Sequence, residues 1–177
     1  MMKTIFITGA SSGIGKATAE LFSANGWQVI ATMRNPEKGK ALTELPNTVV
    51  MPLDVTNTKQ IQETCRKTLE QYDVDVLFNN AGYGIMAPLE AFSEADIRRL
   101  FDTDVIGTMI VTQQFIPHFK KRRSGTILTT TSLAGVIGFP RDAVYGAAKR
   151  AQEGMVESLY YEMKPCGEAV QSITPGA

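Results

Sequence analysis

Only two cysteines, one histidine and one tryptophan occur among the 177 residues of this chain, and that scarcity closes several routes at once. Cys65 and Cys166 stand far apart in no metal-ligand spacing, so they read as reduced thiols of a cytosolic protein, not as a disulfide framework. The single His118 lies beside Pro117 at a predicted helix end, with no ligand-type cluster around it. No metal site is expected, and the imidazole is read as solvated or capping. Excess charge is missing too. Lys plus Arg (18) equals Asp plus Glu (18), which gives no electrostatic reason to expect nucleic acid or a membrane as partner. The one basic run, Lys120-Lys121-Arg122-Arg123, is read as a helix end whose cations complement the dipole. No apolar stretch is long enough to span a bilayer. The first residues run directly into a strand pattern without the layout of a secretory signal, so the cytoplasm is the expected location. Linkers, repeats and low-complexity stretches are absent, and apolar (44%) and charged (20%) contents are those of an ordinary globule. One domain over 1–177 is expected.

What the chain does contain is an alternation. Apolar runs at Lys3–Thr8, Gln28–Met33, Thr48–Pro52, Val74–Phe78, Gly125–Thr131 and Ala169–Ile173 predict six strands. Ala17, Leu21 and Phe22 at helical spacing predict a helix over Gly13–Asn25, stopped by Asn25-Gly26. A short helix is expected over Pro36–Thr43, with Pro36 suited to its start. Another runs from a cap at Thr56 or Asn57 to Gln71. Ser93 is the expected N-cap of one long helix, Glu94–Phe119, with Pro117 near its end, and Ala143–Lys164 forms the last. Asp73 and Asp75, flanking the fourth strand's start, read as solvated. Every strand but the last is followed by a helical segment. The fold class is therefore α/β, a doubly wound parallel sheet of six strands with helices on both faces.

The turn after the first strand reads Thr8-Gly9-Ala10-Ser11-Ser12-Gly13-Ile14-Gly15. Gly9 suits a tight turn, Gly13 a close backbone approach to a pyrophosphate, and Gly15 close packing of helix on strand. The helix N-terminus then offers free N–H groups to the anion, and Ser11 and Ser12 add hydroxyl donors. The first glycine interval is longer than in the common dinucleotide fingerprint; without the strand before it and the helix after it, the turn would be an ordinary connection. The end of strand two, Ala31-Thr32-Met33-Arg34-Asn35, offers no carboxylate for ribose hydroxyls. Arg34 is placed to take a 2′-phosphate with two hydrogen bonds, which favours NADP(H), with NAD(H) the alternative.

Tyr145 and Lys149, at i and i+4, project from one helix face. A free tyrosine titrates near ~10; an ammonium beside it stabilises the phenolate, which suits it to exchange a proton at neutral pH. Ser132, at the carboxyl end of the fifth strand, can hydrogen-bond a substrate oxygen as charge develops there. A Tyr-x-x-x-Lys pair alone arises often by chance. It gains meaning from Ser132 and the glycine turn. The loop Gly135-Val136-Ile137-Gly138-Phe139-Pro140 between Ser132 and Tyr145 suggests an apolar pocket lining.

With the Thr8–Gly15 turn, Asp54, Asn79-Asn80-Ala81-Gly82, Ser132, Tyr145-x-x-x-Lys149 and Pro175-Gly176, the whole chain resembles a short-chain dehydrogenase/reductase of the NADP-preferring type. The resemblance implies a Rossmann-type sheet and a nicotinamide cofactor; with the Ser-Tyr-Lys cluster and the apolar loop, the expected substrate is a small, apolar carbonyl or alcohol. It implies that Asp54, with Val55 beside it, faces the adenine. Asn80, Ala81 and Gly82 support the sheet and line the cofactor, Lys149 also bonds the nicotinamide ribose, and Pro175 and Gly176 border the nicotinamide. It implies a homo-oligomer joined through the fourth and fifth helices. Two departures stand out. Asp104, in Phe101-Asp102-Thr103-Asp104-Val105-Ile106-Gly107, occupies the place of an asparagine that would hold a water leading to the lysine. An ionised aspartate accepts hydrogen bonds but cannot donate them, and it can tie up the lysine's charge. The chain also ends at Pro175-Gly176-Ala177, where relatives continue into a substrate-covering segment and a seventh strand. An uncovered pocket and an open edge at strand six are therefore expected. These departures support a second reading, a nucleotide-binding protein with little or no turnover.

Overall fold

The computed structural model describes residues 2–176; Ala177, in the predicted Pro175–Ala177 end, lies outside the described residues. Six strands, β1 (Thr4–Ile7), β2 (Gln28–Met33), β3 (Thr48–Pro52), β4 (Val76–Asn79), β5 (Thr126–Thr130) and β6 (Ala169–Ile173), form one sheet in the order β3-β2-β1-β4-β5-β6. All five neighbouring pairs are parallel. The helices are α1 (Gly13–Ala24), α2 (Lys40–Thr43, after a tighter turn Pro36–Gly39), α3 (Thr58–Gln71), α4 (Glu94–Phe101), α5 (Thr108–Arg122) and α6 (Ala143–Met163). The chain leaves β1 toward β2 and β3, then crosses back to β4 on the other side of β1. The crevice between the carboxyl ends of β1 and β4 is therefore the switch point at which such sheets hold ligands.

Alternation along β1 shows why this strand reads as an unbroken apolar run. Ile5 and Ile7 pack on one face with Ala19 and Leu42, while Phe6 packs on the other with Phe115 and Leu77, all fully buried or nearly so. The second face carries α3, α5 and α6, through Ile61, Cys65, Val111, Phe119, Val156, Leu159 and Met163. Phe115 sits at its centre, 4.9 Å from the Phe6 ring and 6.1 Å from the Phe119 ring. Burial pushes the Cys65 thiol up to about 12, so it is an inert apolar filler. β6 is an edge strand, and Ile173 on it is 39% exposed. Among the described residues no helix is long and apolar enough to cross a membrane.

Three local readings need correction. The helix expected over Glu94–Phe119 is not one regular helix: α4 and α5 are joined by a π-helical segment, Asp102–Gly107. The extra residue per turn re-aims the segment's side chains and turns Asp104 inward. It also seats Gly107 against Val55, where an added Cβ would lie 2.5 Å from the Val55 carbonyl oxygen. The helix then runs past Pro117, at the cost of the one bond proline cannot donate, and ends at Arg123 in a left-handed conformation (φ 54°). His118 is not solvated. Its Nε2 lies 3.0 Å from the Val74 carbonyl oxygen, which Arg122 also bonds. Asp75 is not solvated either: it accepts the Thr4 N–H at 2.8 Å and pairs with Arg122 at 2.9 Å. The Ser93 cap is as expected, and Asp96 completes a capping box.

Phe115→Ala removes the ring at the centre of the larger core cluster. The expected loss is about 3–5 kcal/mol of unfolding free energy, read from the denaturant midpoint at unchanged slope.

Candidate active site

The turn after β1 is held by contacts that leave no room for larger residues. Gly9 has φ 69°, and an added Cβ would stand 2.7 Å from the Ala81 Cα. Gly15 meets the Gly9 carbonyl oxygen and the Asn80 amide nitrogen, each 2.5 Å from where its Cβ would be. Gly13 differs: it has φ 55° but nothing within 4 Å of an added Cβ, so the space above it is open. Ser12 begins α1 without capping it through its side chain, and the first turn holds no acidic residue. The first N–H groups of α1 thus face the crevice without an internal anion, and the cradle fits a pyrophosphate. Ser11 is half-buried, while Ser12 and Ile14 are exposed at the same rim. Asn80 ties the crevice together. Its amide donates to the carbonyls of Thr8 (3.2 Å) and Gly9 (3.1 Å), and the backbone N–H groups of Asn80 and Ala81 both donate to the Thr8 hydroxyl.

On the β2 side, Arg34 is exposed and joins none of the ion pairs among the described residues. Asp54 is half-buried; its Oδ1 accepts the N–H (2.9 Å) and hydroxyl (2.8 Å) of Thr56, which pins the turn after β3. The Val55 side chain is buried in the core.

The chemistry-bearing residues gather at the ends of β4 and β5. Ser132 follows β5 and opens a short turn, Leu133–Gly135; its Oγ accepts the Ala134 N–H at 3.2 Å, which leaves the hydroxyl proton free to donate. That turn is pressed on α6. A Cβ on Gly146 would lie 3.2 Å from the Ala134 carbonyl oxygen, and one on Gly135 would lie 3.1 Å from that of Lys149. Tyr145, half-buried, packs its ring beside Gly84, and the Lys149 Nζ lies 5.5 Å from the ring centroid. Pro175 reaches the same place: its carbonyl accepts the Leu133 N–H at 3.3 Å, with Gly176 exposed next to it. The loop 84–88 is joined to the loop before α6 by an Ala87 N–H donated to the Arg141 carbonyl at 3.0 Å. The resulting rim exposes Met86 (68%), Val136 (57%), Ile137 (48%) and Phe139 (42%).

Lys149 is only 4% exposed, and its ammonium has three protein acceptors. The Thr130 carbonyl oxygen lies at 3.2 Å, Gln152 Oε1 at 3.0 Å and Asp104 Oδ2 at 3.1 Å. The last is a charge contact only, because Oδ2 lacks an aligned donor. Asp104 is fully buried beside Gly82, and its other oxygen accepts the Tyr83 N–H at 3.1 Å. Burial raises the Asp104 carboxyl above its ordinary range, and this outweighs the opposing pull of Lys149 and the Tyr83 N–H. Gln152, Thr130 and Tyr83 were not among the residues singled out from the sequence. For Gln152 a signal existed: it stands at i+3 from Lys149, on the same helix face. Nothing local marks the Thr130 carbonyl or the Tyr83 amide. Among the described residues, no group of three His, Cys, Asp or Glu side chains is placed to hold a metal ion.

A family model described as short chain dehydrogenase matches residues 3–177. The chain belongs to the short-chain dehydrogenase family. It is 36% identical to human 17-beta-hydroxysteroid dehydrogenase type 1 over 183 residues, covering 97% of this chain and 56% of that enzyme. A short-chain dehydrogenase structure from Streptomyces avermitilis superposes with a TM-score of 0.97 at 35% identity, over 100% of this chain and 66% of the other. The structure of ElxO with NADP bound gives 0.94 at 31% identity, over 99% and 74%. Against curated relatives 35–37% identical to it, the chain spans 56–62% of their length. The family's doubly wound parallel sheet, expected from the strand and helix alternation, is the fold found here.

Because its folded carboxyl binds a proton more tightly than the free side chain, Asp104 contributes stability fully below its ordinary value of 3.8 and loses it as pH rises through the raised value. Asp104→Asn mimics the protonated form. The variant should melt above the parent at neutral pH, with the gap closing as pH falls toward 3.8. A gap of constant size across the titration would contradict this assignment.

Proposed function

We propose that this short-chain dehydrogenase is an NADP(H)-dependent carbonyl reductase or alcohol dehydrogenase acting on a small apolar substrate. The observation that carries the reading is the gathering of Tyr145, Lys149 and the Ser132 turn at the carboxyl end of β5, facing the open glycine cradle across the crevice. Bound there, a nicotinamide supplies or accepts the hydride. Tyr145 passes a proton to the carbonyl oxygen in reduction and removes it from the alcohol in oxidation. Ser132 donates its free hydroxyl proton to that same oxygen as negative charge builds on it. The Lys149 ammonium stabilises the phenolate form of Tyr145 and reaches the ribose.

Gly9, Ser11, Ser12, Gly13, Ile14 and Gly15 form the pyrophosphate cradle. Asp54 and Val55 would hold the adenine end, Asn80, Ala81 and Gly82 would form the inner wall, and Pro175 and Gly176 would border the nicotinamide. Arg34, exposed and in no ion pair among the described residues, supports the choice of NADP(H), as a guanidinium placed to grip a 2′-phosphate. The apolar rim of Met86, Val136, Ile137 and Phe139 supports an apolar substrate. A homo-oligomer joined through α4, the π segment, α5 and α6 also belongs to the proposal. Ile97, Phe101 and Ile106 line an apolar groove on that surface. The cytoplasm is the proposed location.

One observation favours a second reading, nucleotide binding with little turnover: Asp104 stands 3.1 Å from the Lys149 ammonium and partly neutralises it. NADPH titration followed by NADPH oxidation over a panel of ketones separates the two, since tight binding with no turnover on any ketone selects the second.

Tyr145→Phe should cut turnover about 10²–10⁴-fold while NADPH affinity is retained; undiminished turnover removes Tyr145 from the mechanism. Arg34→Ala should weaken NADPH binding by about tenfold or more and leave NADH within about twofold. Equal losses for both cofactors would refute the phosphate role.

A further inference from the structure

Lys149 presents three donors, of which two make directed bonds to the protein, while a carboxylate stands beside the ammonium without one. One acceptor is a strand carbonyl, Thr130, and one is a carboxylate, Asp104. The third, Gln152, is neutral and belongs to neither the cofactor cradle nor the proton path. Its carboxamide has only one way to sit. The Oε1 end must face the ammonium, which has no acceptor to offer, and the Nε2 end must face an oxygen. That end donates to the Asp104 backbone carbonyl at 2.6 Å and approaches the Thr108 hydroxyl at 3.2 Å. Thr108 in turn donates to the same carbonyl at 2.7 Å. Gln152 is therefore a buried strut, 2% exposed, from the π segment to the Lys149 Nζ.

We infer that Gln152 is a positioning residue for Lys149: it aims the ammonium's N–H bonds at Thr130 and at itself, and keeps them from turning onto the Asp104 carboxylate that already stands beside them. The inference rests on the role proposed above for Lys149 with NADP(H). Asp104 Oδ2 already lies within 3.1 Å of Nζ yet lacks an aligned hydrogen bond. The directed bonds run to Thr130 and Gln152 instead. Without the Gln152 oxygen, one ammonium proton loses its partner at a position only 4% exposed. The nearest charged acceptor then takes it, since a carboxylate binds an N–H more strongly than a carbonyl does. The ammonium would turn an N–H onto Asp104 Oδ2, and its charge would be more fully neutralised before it could act on Tyr145 or the ribose. A neutral residue thus decides how an ammonium is shared between two anionic claimants, the Asp104 carboxylate and the Tyr145 phenolate.

The test compares the parent, Gln152→Met, and Gln152→Met combined with Asp104→Asn. The readouts are NADPH affinity, the kcat and KM of ketone reduction, and melting. Gln152→Met is expected to lower kcat about tenfold and weaken NADPH severalfold, with the ketone KM within about twofold. Adding Asp104→Asn removes the competing charge and should restore at least half of each loss on a logarithmic scale. A merely structural glutamine would lower the melting midpoint, and Asp104→Asn would leave its kcat and NADPH affinity unrescued whatever it does to melting. Gln152→Asn carries the same groups one methylene short and cannot span both contacts; it serves where the Met variant does not fold, and the same losses are expected. Unchanged kcat and NADPH affinity in whichever variant folds, or losses that Asp104→Asn does not relieve, would overturn the inference. If the parent reduces no ketone, the proposed activity fails, and the NADPH affinities of the three proteins still decide the role of Gln152.

Discussion

A buried ammonium needs acceptors on every side, and Lys149 takes them from three different elements. Thr130 belongs to β5, Gln152 to α6 and Asp104 to the π segment between α4 and α5. Neither β5 nor the π segment could shift against α6 without taking a partner from a cation only 4% exposed, a cost of up to several kcal/mol. The packing of the long helices against the sheet's carboxyl edge is therefore not set by apolar contact alone. It is indexed by one charge, and the neighbours of that charge, Ser132 two residues beyond Thr130 and Tyr145 one turn before Lys149, come into place with it.

The same arrangement explains why Asp104 is tolerated. A lone carboxylate at that depth would be prohibitive, but here it has the Tyr83 amide and a cation within reach. The compensation is incomplete, because burial still raises its affinity for a proton. The site holds a tension in which the residue that neutralises the lysine is itself poorly solvated. The π turn, the Thr108 hydroxyl and the Gln152 amide all converge on the backbone of that one residue.

Much of this was legible in the chain itself. Strand and helix alternation gave the sheet, because buried parallel strands need uninterrupted apolar runs and each crossover needs a helix. The glycine turn could be read because its spacing serves a backbone path rather than a side-chain contact. Tyr145 and Lys149 could be read because helical periodicity puts both on one face. What stayed hidden depends on atoms with no side-chain signature or on distant partners. The π segment goes with Gly107 meeting Val55, more than fifty positions away in sequence, and no local pattern announces it. His118 and Asp75 look like surface residues until β1, β4 and the end of α5 are brought together, whereupon His118 meets the Val74 carbonyl and Asp75 takes the Thr4 N–H and Arg122. The strut at Gln152 has the right spacing, but only the position of Asp104's carbonyl gives it meaning.

Thr8 and Asn80 hold one further consequence. The cradle half of the sheet, β1 to β3, meets the chemistry half, β4 to β6, along a single seam of three paired residues between β1 and β4. At its open end that seam is stapled by one hydroxyl accepting two amides and one amide gripping two carbonyls. A dinucleotide lying across the gap would touch both halves at once and brace them like a splint laid over a suture. Hydrogen exchange at the Asn80 and Ala81 amides is then a natural gauge of occupancy, slowing when the gap is bridged even though neither amide is required to bond the guest.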